Sequence, residues 1–120
     1  MVFLGAGLGG VLRFLASGFV QRLANGWLFP IGTATVNVIG CLVIGFLAQL
    51  AESRAFLSGE MRALIMVGIL GGFTTFSTFG YETFQLLRDG EYLMAVANVG
   101  LQVTIGVVFV AVGYSLARLL

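Results

Sequence analysis

Three stretches of this chain, residues 23–51, 63–81 and 92–117, contain no charged residue. Each approaches or exceeds the roughly 20 apolar residues that one helical pass needs to cross a hydrocarbon core about 30 Å thick. A further stretch, residues 2–21, is apolar and glycine-rich and is interrupted only by Arg13. A signal peptide has a basic start and a continuous apolar centre; Arg13 spoils that pattern, so the segment is expected to be a mature helix. The spans fall at about 2–21, 31–51, 61–87 and 92–117 of 120 residues, which leaves no room for a fifth. The expected fold is an all-α membrane protein, one domain over 1–120 with four transmembrane helices.

The connections agree with these spans. Asn25-Gly26 and Asp89-Gly90 are turn dipeptides, and Pro30 suits the first turn of the second helix. Trp27, Tyr92 and Tyr114 lie near span ends, where amphipathic rings favour the headgroup layer. Charged residues make up 9% of the chain and hydrophobic residues 59%, whereas a water-soluble domain carries about 25% charged residues to wet its surface. Lipid is therefore the expected solvent. Glycine occurs 18 times, and small residues let helix backbones approach closely in a membrane.

Composition also excludes functions. With no histidine, imidazole bases, proton relays and His-based metal sites are absent. The single Cys41 cannot form a disulfide within the chain. All six basic residues are arginines, net charge is +1, and no basic cluster is present to hold nucleic acid. An enzyme is not expected. Four spans put both termini on one side with Arg54, Arg62 and Arg118, and leave Arg22 and Arg88 on the other. Orientation follows the Lys/Arg bias of short loops, and three against two is hardly a bias. A chain that inserts both ways can form an antiparallel homodimer. Four short helices alone can hardly enclose a polar route and still face lipid, so a dual-topology dimer is expected.

The informative residues are the polar ones inside the spans. Arg13 shares a face with Gly5 and Gly9. An arginine at mid-membrane costs about 2.5–3.5 kcal/mol by insertion scales and usually faces a cavity. It either attracts an anion at a wet vestibule or ties two helices through backbone carbonyls. In the second span Thr33, Asn37 and Cys41 form one stripe with Gly40 beside it. The Asn37 amide offers neutral donors that replace water around an anion, or it makes an interhelical hydrogen bond.

The third span carries Gly68-Ile69-Leu70-Gly71-Gly72-Phe73-Thr74-Thr75-Phe76-Ser77-Thr78-Phe79-Gly80. Gly71 and Gly72 each lose about 1 kcal/mol of helix propensity against alanine, and four Ser/Thr follow. A break is expected here, and broken helices persist in membranes only where protein or a cavity satisfies the freed backbone. Freed carbonyls are hard oxygens suited to an alkali cation, and two breaks meeting across a dimer axis would cage one ion. The other reading is a Gly68/Gly72 packing motif with back-bonded threonines. Phe73, Phe76 and Phe79 alternate with Thr74, Ser77 and Thr78; ring edges carry partial positive charge, so such a path favours an anion. Glu82 sits toward the end of the span, at a pore mouth or the interface. Asn98 and Gln102, four apart in the fourth span, either line the same route or join helices.

These residues resemble the small bacterial Fluc (CrcB-type) fluoride channels along essentially the whole chain. The resemblance rests on Gly9-Gly10-Val11-Leu12-Arg13, on Gly32-Thr33-Ala34-Thr35-Val36-Asn37-Val38-Ile39-Gly40, and on Gly71-Gly72-Phe73-Thr74-Thr75-Phe76-Ser77-Thr78-Phe79. It implies an antiparallel dual-topology homodimer in the cell (inner) membrane that passes fluoride outward passively and so reduces fluoride toxicity. It implies a structural sodium ion held by the Gly71 and Thr74 carbonyls. Phe76 and Phe79 would be the pore aromatics, Asn37, Ser77 and Thr78 the polar track, and Arg13 a vestibule residue. The fourth span departs from the pattern: hydroxyl or Tyr positions stand here as Asn98 and Gln102. Two other classes compete. A small multidrug-type proton-coupled exporter needs a titratable carboxylate at the membrane centre, where the first span offers Arg13. A non-transporting scaffold explains the glycines but not the Thr/Phe alternation.

Overall fold

The computed structural model describes residues 1–55 and 57–120, and the regular structure among them is entirely helical. In chain order the elements are α1 (Val2–Leu23), α2 (Ile31–Arg54), α3 (Gly59–Arg62), a π-helical stretch (Ala63–Leu70), α4 (Gly71–Phe73), α5 (Phe76–Arg88) and α6 (Tyr92–Arg118). The pieces from α3 to α5 form one bent third helix. Four stretches are long and apolar enough to cross a membrane: Val2–Leu23, Ile31–Arg54, Gly59–Arg88 and Tyr92–Arg118. The longest dimension is 49 Å, slightly more than the about 40–45 Å of a bilayer with its headgroups. The chain is a multi-pass membrane protein.

Two turns reverse the chain as their dipeptides require. Gly26 (φ 88°) and Gly90 (φ 79°) are left-handed, a conformation that glycine adopts without steric cost. Between helices, lipid supplies no hydrophobic drive, so contact has to come from close packing. α1 lies along the third helix: a Cβ on Gly68 would stand 2.9 Å from the Gly5 Cα, and one on Gly9 would stand 2.9 Å from the Phe73 nitrogen. α2 packs broadly along α6, where a Cβ on Gly113 would stand 2.9 Å from the Phe46 nitrogen. The interior is built from small residues, while Phe3, Phe14 and Phe19 of α1 and Leu93, Val96 and Val107 of α6 are exposed. That inversion suits a chain surrounded by hydrocarbon.

The π-helical stretch has no signature in the sequence. Its wider i→i+5 turns run where α1 presses on the third helix, and the main chain of Leu64 and Ile69 is what Gly5 and Gly9 meet. At the end where the termini lie, Arg54 donates to the Leu120 carbonyl, and Arg62 donates to the Ala51 carbonyl at 2.7 Å.

Candidate functional site

The third helix breaks at two threonines. Thr74 (φ −91°, ψ 160°) and Thr75 (φ −151°, ψ 121°) are extended. Threonine hydroxyls offer the backbone alternatives to a helical ladder, and both are used. The Thr74 N–H and hydroxyl both donate to the Leu70 carbonyl, each at 3.0 Å. Thr75 Oγ1 caps α5 by accepting from the Thr78 N–H at 3.2 Å, as an N-cap residue does.

The break falls inside the Gly- and Thr-rich stretch where one is expected, at its threonines and not at Gly71-Gly72. Those glycines stay helical in α4, because Gly72 is where the Ala6 main chain approaches: a Cβ there would stand 3.0 Å from the Ala6 Cα. Close packing and the threonine back-bond, read from sequence as alternatives to a break, coexist with one. The break also cuts both alternating stripes. Phe73 is separated from the other two rings, and Phe76 and Phe79 remain neighbours, with centroids 5.6 Å apart and planes tilted by 48°.

Asn37 of α2 holds the break from outside it. Its Oδ1 accepts from the Thr75 N–H at 2.8 Å, and its Nδ2 donates to the Thr75 carbonyl at 3.1 Å. In a continuous helix the Thr75 N–H would serve the Gly71 carbonyl and the Thr78 N–H the Thr74 carbonyl. Both donors are diverted, so the Gly71 and Thr74 oxygens lose their helical partners. Arg13 Nη1 reaches the Thr74 carbonyl at 3.4 Å. This is the helix-tying contact weighed above, spanning α1 and the break.

These groups surround a cavity of about 370 Å³ whose walls include Asn37, Gly40, Cys41, Gly71, Thr74, Thr75, Phe76, Phe79 and Gln102. No charged side chain is among the described residues that line it. The cavity opens outward: Phe76 is 83% exposed, Gly71 is exposed, and a Cβ built on Gly71 meets nothing within 4 Å. Ser77 and Thr78 lie at the exposed start of α5 rather than in the cavity wall, with the Thr78 hydroxyl 3.0 Å from Thr75 Oγ1.

Of the remaining sequence candidates, Glu82 and Asn98 lie behind this wall, and Gln102 joins it to them. Glu82 turns inward, where its Oε1 accepts from the Thr33 hydroxyl at 2.8 Å; its Oε2 is buried with no partner among the described residues. Gln102 accepts from Asn37 Nδ2 at 2.8 Å and donates to Asn98 Oδ1 at 2.8 Å. Asn98, 0% exposed, donates to Thr83 Oγ1 at 2.9 Å.

Two residues that the sequence reading did not single out matter here. Thr75 is legible afterwards as a hydroxyl three residues ahead of Thr78, a capping spacing. Thr83 has no local signal, because its partner Asn98 comes from the next helix. The chemistry of the site is that of ring edges with the Ser77 and Thr78 hydroxyls beside them, which can bind an anion weakly enough to release it. The Asn37 amide takes the helix-joining role instead, its two Nδ2 hydrogens going to the Thr75 carbonyl and Gln102. Among the described residues no group of three or more His, Cys, Asp or Glu is placed to hold a metal ion, so a cation here would rest on main-chain oxygens.

Comparison with known proteins gives one consistent family. Residues 1–114 match the family described as CrcB-like protein, Camphor Resistance (CrcB). The chain is 46% identical over 119 residues to the fluoride-specific ion channel FluC of Methylobacillus flagellatus, covering 99% of this chain and 93% of that one. It is 43% identical over 116 residues to the FluC of Nitrosococcus oceani, covering 96% and 92%. It is 49% identical over 111 residues to that of Syntrophotalea carbinolica, covering 92% and 89%.

Proposed function

The chain belongs to the CrcB-like family, and from that premise we propose that it is a fluoride channel, a passive route for fluoride out of the cell across the inner membrane. The observation that carries the reading is the clasped break in the third helix, opening on an uncharged cavity walled by Asn37, Phe76 and Phe79. Fluoride is small and strongly hydrated, so a selective path must offer several donors in little space. Donors without fixed charge also permit release, which conduction requires. In this reading Phe76 and Phe79 present ring edges to the ion. Ser77 and Thr78 supply hydroxyls along the start of α5, and Arg13 holds the vestibule side of the break through Thr74.

The working unit is an antiparallel homodimer. The exposure of Gly71, Phe76, Ser77 and Thr78 supports this, because a conduit needs a second wall where the single chain has none. The same geometry suits a structural sodium ion. The Gly71 and Thr74 carbonyls have lost their helical donors, and the space beside Gly71 is open. Two oxygens are too few to enclose an alkali ion, so a second copy would supply the matching pair. Gly71 and Thr74 would hold such an ion through these carbonyls, and it would supply positive charge there beside that of Arg13, which already donates to the Thr74 carbonyl.

The test is passive efflux from liposomes loaded with fluoride or with chloride. Rapid fluoride loss without a proton gradient, and none of chloride, is expected. Cation movement that requires a gradient would support a multidrug-type exporter instead, and no flux would leave a scaffold.

A further inference from the structure

The hydrogen bonds behind the cavity form a chain that begins and ends on the third helix. The Thr75 N–H donates to Asn37 Oδ1 at 2.8 Å, Asn37 Nδ2 to Gln102 Oε1 at 2.8 Å, and Gln102 Nε2 to Asn98 Oδ1 at 2.8 Å. Asn98 Nδ2 then donates to Thr83 Oγ1 at 2.9 Å, and the Thr83 hydroxyl to the Phe79 carbonyl at 2.7 Å. The path leaves the third helix at Thr75, crosses α2 and α6, and returns to the third helix at Thr83, eight residues further on, to end on the Phe79 carbonyl. Every donor points the same way round, so the dipoles reinforce one another.

The sense of the circuit is fixed by its ends. An amide reverses by a half turn and a hydroxyl can donate or accept, so the three amides and Thr83 have no intrinsic direction. A main-chain N–H can only donate and a main-chain carbonyl can only accept. With the Thr75 N–H at one end and the Phe79 carbonyl at the other, each intermediate group has one orientation that avoids facing donor with donor. Asn37 is also saturated: its two Nδ2 hydrogens go to the Thr75 carbonyl and Gln102. Turning the Asn37 amide over would set oxygen against oxygen at both.

We propose that Gln102 and Asn98, with Thr83 as their anchor, are positioning residues. They hold Asn37 in the one amide orientation that clasps Thr75 and keeps the break formed, rather than solvating the ion themselves. Their importance for flux rests on the fluoride-channel reading; their control of the break does not. Gln102 is part of the cavity wall, whereas Asn98 and Thr83 stand outside it, so substitution at Thr83 separates the two roles.

The experiment compares Thr83→Val, Thr83→Ser, Gln102→Met and the double variant Gln102→Met/Thr83→Val in liposome efflux and in thermal unfolding. Thr83→Val removes the hydroxyl with little change of shape and is expected to slow fluoride efflux about three- to twentyfold, the range of one lost interhelical hydrogen bond. Thr83→Ser restores the rate, and the double variant is no slower than Gln102→Met alone, because one cut already opens the circuit. Hydrogen exchange at the Thr75 amide supplies a readout independent of flux and should quicken in Thr83→Val but not in Thr83→Ser. Exchange that responds in a protein passing no fluoride would support the positioning role while ending the channel reading. Unchanged exchange in Thr83→Val, or effects on efflux that multiply in the double variant, would overturn the proposal.

Discussion

At the scale of single residues, Asn37 carries the most. Its amide meets both main-chain groups of Thr75 and also Gln102. Asn37→Asp keeps the acceptor toward the Thr75 N–H but turns a negative oxygen on two other oxygens, the Thr75 carbonyl and Gln102 Oε1. An acceptor left facing acceptors at this half-buried position costs about 1–3 kcal/mol, so fluoride efflux from liposomes should fall at least about fivefold. Phe79 acts differently, through a ring that lines the cavity beside Phe76. Phe79→Ile keeps an apolar side chain and removes the positive ring edge. Efflux should drop while the unfolding temperature stays close to that of the parent, and an unchanged rate would remove Phe79 from the path.

At the scale of elements, the pairing of α1 with the third helix depends on glycines whose place no side chain can take. Gly9→Val would push its methyls onto the Phe73 nitrogen and the Ile69 main chain. Overpacking of this kind costs about 1–3 kcal/mol, so the variant should unfold at a lower temperature in detergent and lose Arg13's hold on Thr74 as the helices part. The sequence made much of this level legible. Three charge-free runs and an apolar stretch interrupted only by Arg13 gave the four spans, and the crowding of Gly, Ser and Thr after Gly71 gave the break in the third. The exact residue of the break within that stretch was not legible, because glycines and threonines both weaken the helix there and only packing against Ala6 keeps Gly71-Gly72 helical. The π-helical stretch was hidden for a related reason: Ala63–Leu70 is apolar throughout, and nothing in an apolar run says how widely its turns are wound. The circuit through Thr83 was hidden too, since it closes only when α5 and α6 meet.

At the scale of the whole molecule, the balance of arginines across the two ends is close enough for a small change to decide orientation. Ser53→Arg with Ser58→Arg adds positive charge at the end that holds the termini, and Asn25→Arg with Glu91→Arg adds it at the other. Short-loop charge sets orientation, so each pair should insert one way only, as read by labelling of a terminal tag. Fluoride flux should vanish for either alone and return when the two are produced together; full flux from either alone would rule out an antiparallel pair. Beneath all of these expectations lies the state of the main chain between α4 and α5. A density map of the purified protein in lipid with fluoride, resolved well enough to trace carbonyls, tests it most directly. It should show extended backbone at Thr74 and Thr75, with the Asn37 amide against both main-chain groups of Thr75. An unbroken α-helix through Thr74 and Thr75, its carbonyls all paired four residues on, would contradict it.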